Sequence, residues 1–388
     1  MEKIFENLEF YNVNDVRFFH VMGSNVLNPG KNGKPVALFC SGSQIEFKIK
    51  AQEIWVQVES DYDTHEVWLC AWVNGRHISR FMAEKGKTWI CLARNLNPEK
   101  ENLVSLMRDT QAMSADGNQI LLVHHVAVSK GTVCLPVPER KLKLEFIGDS
   151  ITSGEGLCGN TDEWDWISTW ISVMDNYAVK AATELNADFN IMSQCGWGVI
   201  TGWDNNVKCS IPQYYEKVSG LNWGQSQKAL GAGDDFDFSS FQPDYIFVNL
   251  GTNDSGAFNQ PAWKDSETGK EYKMRLDENG NPFSEDCKII SKGVYDFLKV
   301  IRQNNPISEI CWIWGMIGIG IVSESIKKGI LDFKNETGDD RISFIELPSM
   351  EENEKNLWDK GSRGHPGPET HRLACEKLVS YIEMKKER

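Results

Sequence analysis

The feature that most constrains this chain is a change of hydrophobic grammar at Pro136-Val137-Pro138. Before it, from about Phe10, short apolar and aromatic runs are separated by turn residues, at Gln44 to Ile49, Ile54 to Val58, Glu66 to Val73, Thr88 to Leu92 and Ile120 to Val128. Runs of that length between turn formers are the pattern of an all-β domain. Asn74-Gly75, lying between Glu66 to Val73 and His77 to Phe81, is a strong hairpin signal. The expectation is a β-sandwich or jelly roll over residues 1–139.

From Lys141 onward, apolar strands alternate with helix-length amphipathic segments, which is α/β grammar. Strands are expected at Leu144 to Ile147, Phe189 to Ser193, Tyr245 to Leu250, Ile310 to Trp314 and Ile342 to Glu346. Helices are expected at Asn176 to Leu185, Ile289 to Asn304, Ser323 to Asn335 and Thr370 to Lys385. Most of these strands are short, largely continuous apolar runs, as expected for parallel strands buried on both faces. A doubly wound parallel sheet over residues 140–388 follows. The long insertion between Gly256 and Asp286 reads as a β-hairpin excursion.

A chain of 388 residues accommodates two such cores, and 41% hydrophobic with 25% charged residues is the composition of a folded protein. The formal net charge of -14 argues against nucleic acid as a partner, since phosphate binding rests on clustered Lys and Arg. The opening residues show no basic region followed by an apolar run, and no stretch is apolar enough to span a bilayer. A cytoplasmic protein without a membrane segment is therefore expected. Ten cysteines are scattered, the closest pair being Cys195 and Cys209, so free thiols are expected in place of a zinc or disulfide framework. The pair His124-His125 lies in an expected strand and reads as packed side chains. Gly196-Trp197-Gly198-Val199-Ile200-Thr201-Gly202 misses the dinucleotide fingerprint by one residue, and Asp277 to Pro282 begins like a calcium loop but lacks its sixth-position glycine. Neither a metal nor a cofactor is expected.

Chemistry concentrates where strands end. Phe146-Ile147-Gly148-Asp149-Ser150-Ile151-Thr152 sets a serine between a buried strand and a helix, where its hydroxyl is exposed at the carboxyl edge of the sheet. Asn249-Leu250-Gly251-Thr252-Asn253-Asp254 follows another apolar strand and supplies an amide that can donate to an oxyanion. A serine nucleophile needs a base, and only His365 and His371 follow residue 140. His365 sits in the loop Gly361 to Pro368, whereas His371 falls in the next helix, so His365 is the better candidate.

Together, Gly148-Asp149-Ser150, a glycine in Gln194-Cys195-Gly196-Trp197-Gly198, Gly251-Thr252-Asn253-Asp254 and His365-Pro366 resemble the four blocks of SGNH (GDSL-type) hydrolases, in the right order. The all-β domain running into Lys143 to Thr152, with Trp312 to Gly318 and His365 to Arg372, resembles the two-domain layout of carbohydrate esterase family 2. The resemblance implies a serine esterase that removes acetyl groups from plant polysaccharides such as xylan and glucomannan, with an acetylated oligosaccharide as its partner. It implies Ser150 as nucleophile and His365 as base. The Ser150 amide, the Gly196 amide (preferred to Gly198) and the Asn253 side chain would form the oxyanion hole. Trp197 and Trp263 are the candidates for sugar contact. The wider family has Asp three residues before the histidine, where this chain has Ser362. A backbone carbonyl is expected to orient His365 instead, with Asp359 as the alternative. Two other readings are an SGNH esterase or thioesterase for lipid or acyl-thioester substrates and a non-enzymatic carbohydrate-binding protein.

Overall fold

The computed structural model describes residues 6–27, 34–318, 320–351 and 360–386, which form two compact units. The first comprises Met1–Lys141 with two returning segments, Ile167–Thr169 and Lys217–Asp235. It is a β-sandwich of two antiparallel sheets. One sheet is ordered Asn25–Val26, Val36–Leu38, Ile120–Ser129, Ile54–Asp61 and Gly86–Ala93, with Leu8–Asn12 also on Ile120–Ser129. The other is ordered Val133–Leu135, Gln44–Lys50, Asn102–Arg108, Val67–Val73 and Arg76–Ala83, with Phe19–Met22 also on Gln44–Lys50. Along Ile54–Asp61, Ile54, Val56 and Val58 are buried while Trp55, Gln57 and Glu59 face outward less covered, the two-residue period of a half-buried strand. Asn74 and Gly75 have φ of 54° and 72°, the two positive values a type I′ hairpin turn requires.

The returning segment Lys217–Asp235 closes an apolar patch outside the main sandwich core, where Val218, Leu230 and Ala232 meet Ala37, Phe39 and Leu122. It is also pinned by polar bonds. Buried Gln227 donates to the carbonyls of Asp116 (3.0 Å) and Gln119 (2.9 Å), and Gly224 approaches Gly117 so closely that a Cβ would overlap the Gly117 carbonyl. A division at 139/140 drawn from the change of grammar leaves this segment in the second half of the chain. Near His125 a register shift interrupts the strand, and the rings of His124 and His125 stack at 6.3 Å while bonding Glu59 and Gln57.

The second unit carries one fully parallel sheet built from β1 (Leu142–Gly148), β2 (Ala187–Ser193), β3 (Tyr245–Asn249), β4 (Glu309–Trp314) and β5 (Ile342–Glu346). The order across the sheet is β2-β1-β3-β4-β5. Its helices include α1 (Ser150–Ser153), α2 (Tyr177–Glu184), α3 (Thr252–Ala257), α4 (Ser284–Asn304), α5 (Ser323–Thr337) and α6 (Pro368–Lys386). Phe146, Ile147, Phe247, Val248, Trp312 and Ile313 fill the sheet and are fully buried. The chain order reverses beside β1, so a crevice opens at the carboxyl ends of β1 and β3, the usual ligand position in such sheets. The insertion after α3 is a hairpin of only two residue pairs, Trp263 with Tyr272 and Lys264 with Glu271. None of the ten cysteines forms a disulfide, and no helix among the described residues is long and apolar enough to cross a membrane.

Candidate active site

The carboxyl end of β1 turns into α1 without a loop. Gly148 makes this possible, because a Cβ there would lie 2.0 Å from Thr152 Oγ1. Asp149 caps the helix, its Oδ1 accepting from the Ile151 amide at 3.0 Å, and Ser150 becomes the first helical residue. A first-turn amide has no partner inside its own helix, so the Ser150 N–H is available beside its own hydroxyl.

His365 reaches this serine from the loop before α6, with Nε2 2.9 Å from Ser150 Oγ. The loop Ser362–Gly364 is a single tight turn in which Arg363 and Gly364 both take positive φ, 57° and 68°. That turn folds the Arg363 carbonyl back to 3.2 Å from His365 Nδ1. The left-handed conformation costs a non-glycine residue about 1 kcal/mol or more. Bonds from the Arg363 amide to the Glu163 carbonyl (2.9 Å) and from its Nη1 to the Trp164 carbonyl (3.2 Å) offset that cost. A carbonyl therefore occupies the orienting position that a carboxylate holds in a full triad. Ser362 is buried and packs so closely on Gly159 that a Cβ on residue 159 would stand 2.3 Å from its Oγ. Asp359 lies outside the described residues.

The other two blocks converge on the same turn. Asn253 Nδ2, at the start of α3, donates to Asp149 Oδ2 (3.1 Å) and to the Trp197 carbonyl (2.9 Å), tying together the turns that follow β1, β2 and β3. Both amide hydrogens are thus engaged, and donation to an oxyanion requires one of them to be shared. Gly196 has φ of 80°, and its carbonyl accepts from the Trp203 amide at 3.0 Å, while its own N–H has no partner among the described residues. Gly198 differs: its N–H is consumed by the Cys209 carbonyl (3.2 Å). Its missing Cβ makes room for Asp254, whose carboxylate accepts from the amides of Val199 (2.8 Å), Ile200 (2.8 Å) and Thr201 (3.3 Å). Gly196 offers a donor; Gly198 supports the loop.

Burial governs the electrostatics. It pushes the Asp149 carboxyl up to about 7, aided by the neighbouring carboxyls of Asp254 and Glu155 and opposed by the Ile151 amide. Burial likewise pushes His371 down to about 3, and its Nδ1 accepts from the Tyr177 amide at 3.1 Å. His371 is a neutral structural side chain.

The expected sugar contacts are placed differently. Trp197 is only 4% exposed and packs its ring on Tyr214, so it offers the site its carbonyl. Trp263 packs against Tyr272 across the short hairpin, the ring planes tilted by 39°. Two other tryptophans stand open beside the site, Trp164 (71% exposed) against the His365 loop and Trp203 (52% exposed) against Gly196. Sequence reasoning missed both, and it also missed Glu155, a carboxylate set between two glycines just after the serine motif.

A nucleophile, a base and amide donors gathered at the switch point of a parallel sheet define a serine hydrolase site. The model of the GDSL-like lipase/acylhydrolase family matches residues 144–378, and the chain belongs to that family. The solved structures it resembles include family 2 carbohydrate esterases. It is similar to an acetyl xylan esterase from the rumen bacterium Butyrivibrio proteoclasticus, with 38% identity over 98% of this chain and 99% of that one and a TM-score of 0.91. A family two carbohydrate esterase from Clostridium thermocellum, in complex with cellohexaose, shares the fold at 21% identity and a TM-score of 0.73, over 95% of this chain and 99% of that one. The cellulase/esterase CelE of Acetivibrio thermocellus is 25% identical over 89% of this chain, which spans 37% of that protein's length.

Proposed function

We propose that this chain is a carbohydrate acetyl esterase that removes O-acetyl groups from xylan- or mannan-derived oligosaccharides. The observation that carries the reading is Ser150 Oγ at 2.9 Å from His365 Nε2, beside the unpaired Gly196 and Ser150 amides. Ser150 attacks the acetyl carbonyl and its proton passes to His365 Nε2, while Nδ1–H donates to the Arg363 carbonyl. The oxyanion meets the amides of Ser150 and Gly196 and a shared hydrogen of Asn253. The sugar hydroxyl leaves with the proton, and water releases acetate by the reverse sequence. Likeness over 98% of this chain to an acetyl xylan esterase supports the substrate class, as do the exposed rings of Trp164 and Trp203, which suit stacking on sugars.

Acetate released from acetylated xylan and mannan oligosaccharides is the test, with initial rates on acetyl, butyryl and octanoyl esters of p-nitrophenol beside it. Acetate release that vanishes in Ser150→Ala is expected. Preference for the octanoyl ester would favour a lipid acylhydrolase, and no release from any substrate would favour a binding protein.

A further inference from the structure

The base in this site lacks the carboxylate that normally balances its charge, yet a carboxylate lies within reach by another route. Glu155 sits between Gly154 (φ 74°) and Gly156 (φ 85°), its amide bonded to the Ser150 carbonyl at 2.9 Å. These left-handed glycines turn the side chain inward, where the residue is 4% exposed. Its Oε2 is 3.6 Å from His365 Nε2 and its Oε1 is 2.9 Å from Arg363 Nε. The second contact is an ion pair without hydrogen-bond alignment, for Glu155 Oε1 and Arg363 Nε are both buried without a hydrogen-bond partner.

The geometry points to Glu155 as the positioning and charge-balancing acid of this esterase, acting on the Nε2 side of His365 in place of an aspartate on the Nδ1 side. The inference rests on Ser150 and His365 being nucleophile and base. As the Ser150 Oγ–C bond forms, the carbonyl electron pair moves onto oxygen and the serine proton moves to Nε2. Glu155 exchanges no proton. It remains a carboxylate facing the new imidazolium, and an opposite charge within about 4–6 Å favours the protonated ring. Arg363 joins the two halves of the device, its carbonyl holding Nδ1 and its guanidinium holding the carboxylate.

Other ionisable groups face this pair, but among them Glu155 is the carboxylate within 4 Å of both His365 Nε2 and Arg363 Nε. Asp149, before α1, shares this field with Glu155, and burial pushes its carboxyl up to about 7. The Cys195 thiol, from the glycine loop, is held well above its usual range by burial and by Glu155 itself. His371, from α6, stays neutral, and Arg363 is the cation opposed to the imidazolium.

The test is the pH dependence of kcat/KM on p-nitrophenyl acetate for the full chain, comparing wild type with Glu155→Gln, Arg363→Gln and Ser150→Ala. Glu155→Gln should lower kcat about 10- to 100-fold, less than the loss of a hydrogen-bonded triad acid, with KM little changed. Its acid limb should move down by about one pH unit, because the imidazolium loses its counter-charge. Arg363→Gln should move the same limb up, since Glu155 then faces the ring alone. A merely structural Glu155 would alter kcat and leave the limb in place, and that result overturns the proposal. Should Glu155→Gln fail to fold, an unmoved limb in Arg363→Gln overturns it equally. Substantial activity in Ser150→Ala would instead remove the nucleophile reading on which the proposal rests.

Discussion

Gly156→Ala isolates how the base is brought to the nucleophile. A Cβ at this position would lie 2.6 Å from the Ser362 carbonyl oxygen and 3.1 Å from both Ser362 N and His365 Cβ. Restoring an ordinary contact of about 3.4 Å moves the histidine loop by roughly 0.8 Å. That loop is closed on itself, by His365 N to the Ser362 carbonyl (3.2 Å) and Gly361 N to the His365 carbonyl (2.9 Å), so it shifts as one piece. The 2.9 Å bond between His365 and Ser150 would then stretch beyond hydrogen-bond length. A displacement of about 1 Å costs on the order of 10²-fold in rate. The left-handed backbone adds about 1 kcal/mol of destabilisation, or a few degrees of Tm. Gly75→Ala is the control, having φ of 72° with no atom within 4 Å of the added Cβ. It should lose similar stability and keep its kcat. Measured with p-nitrophenyl acetate and thermal melts, a Gly156→Ala enzyme with kcat within threefold of wild type would refute the claim that this close approach sets the catalytic distance.

Asn253→Ala should lower kcat by about 10²-fold with KM nearly unchanged, as loss of an oxyanion donor does. A fall in Tm with kcat intact would make it a brace for Asp149 and Trp197 alone. Glu145, in the middle of β1, is buried and pushed up to about 7 by that burial, against bonds from Tyr215 (2.8 Å) and Asn190 (3.2 Å). Because its folded value exceeds the unfolded one, its stabilising contribution is complete below about pH 4.5 and is lost as pH rises through 7, a span worth about 3 kcal/mol. Glu145→Gln should therefore gain Tm on wild type as pH is raised from 5 to 8, and parallel curves for the two proteins would contradict the assignment.

The parallel sheet was legible because its strands are short, mainly apolar runs between helix-length segments, and each observed strand lies within two residues of its expected bounds at either end. Ser150 and His365 were legible as chemistry, but the device that joins them was not. Gly156 reads as an ordinary turn glycine until the fold lays Ser362 across it. The tryptophans show the same limit: nothing in local sequence separates Trp203, left open, from Trp197, buried six positions earlier, since exposure is decided by the path of the loop. Glu155 was overlooked because a carboxylate between glycines usually points to solvent, and only the Arg363 turn reveals its inward partners.

The returning segment of the first unit has a consequence for biogenesis. During synthesis the sandwich strands emerge first, yet Phe39 and Leu122 wait for Val218, Leu230 and Ala232 to cover them. Gln227 must also arrive before the Asp116 and Gln119 carbonyls find their donor. Domains generally fold as units while the chain leaves the ribosome. Here the amino-terminal unit stays unfinished until the stretch through Asp235 has been translated, including β1, β2 and the serine turn. A fragment cut at Lys141 would hold every sandwich strand and still expose that apolar patch, making it prone to aggregate. The nascent chain thus completes its first unit only after the serine turn and two of the five parallel strands have been translated, with Asn253 and the His365 loop still to come.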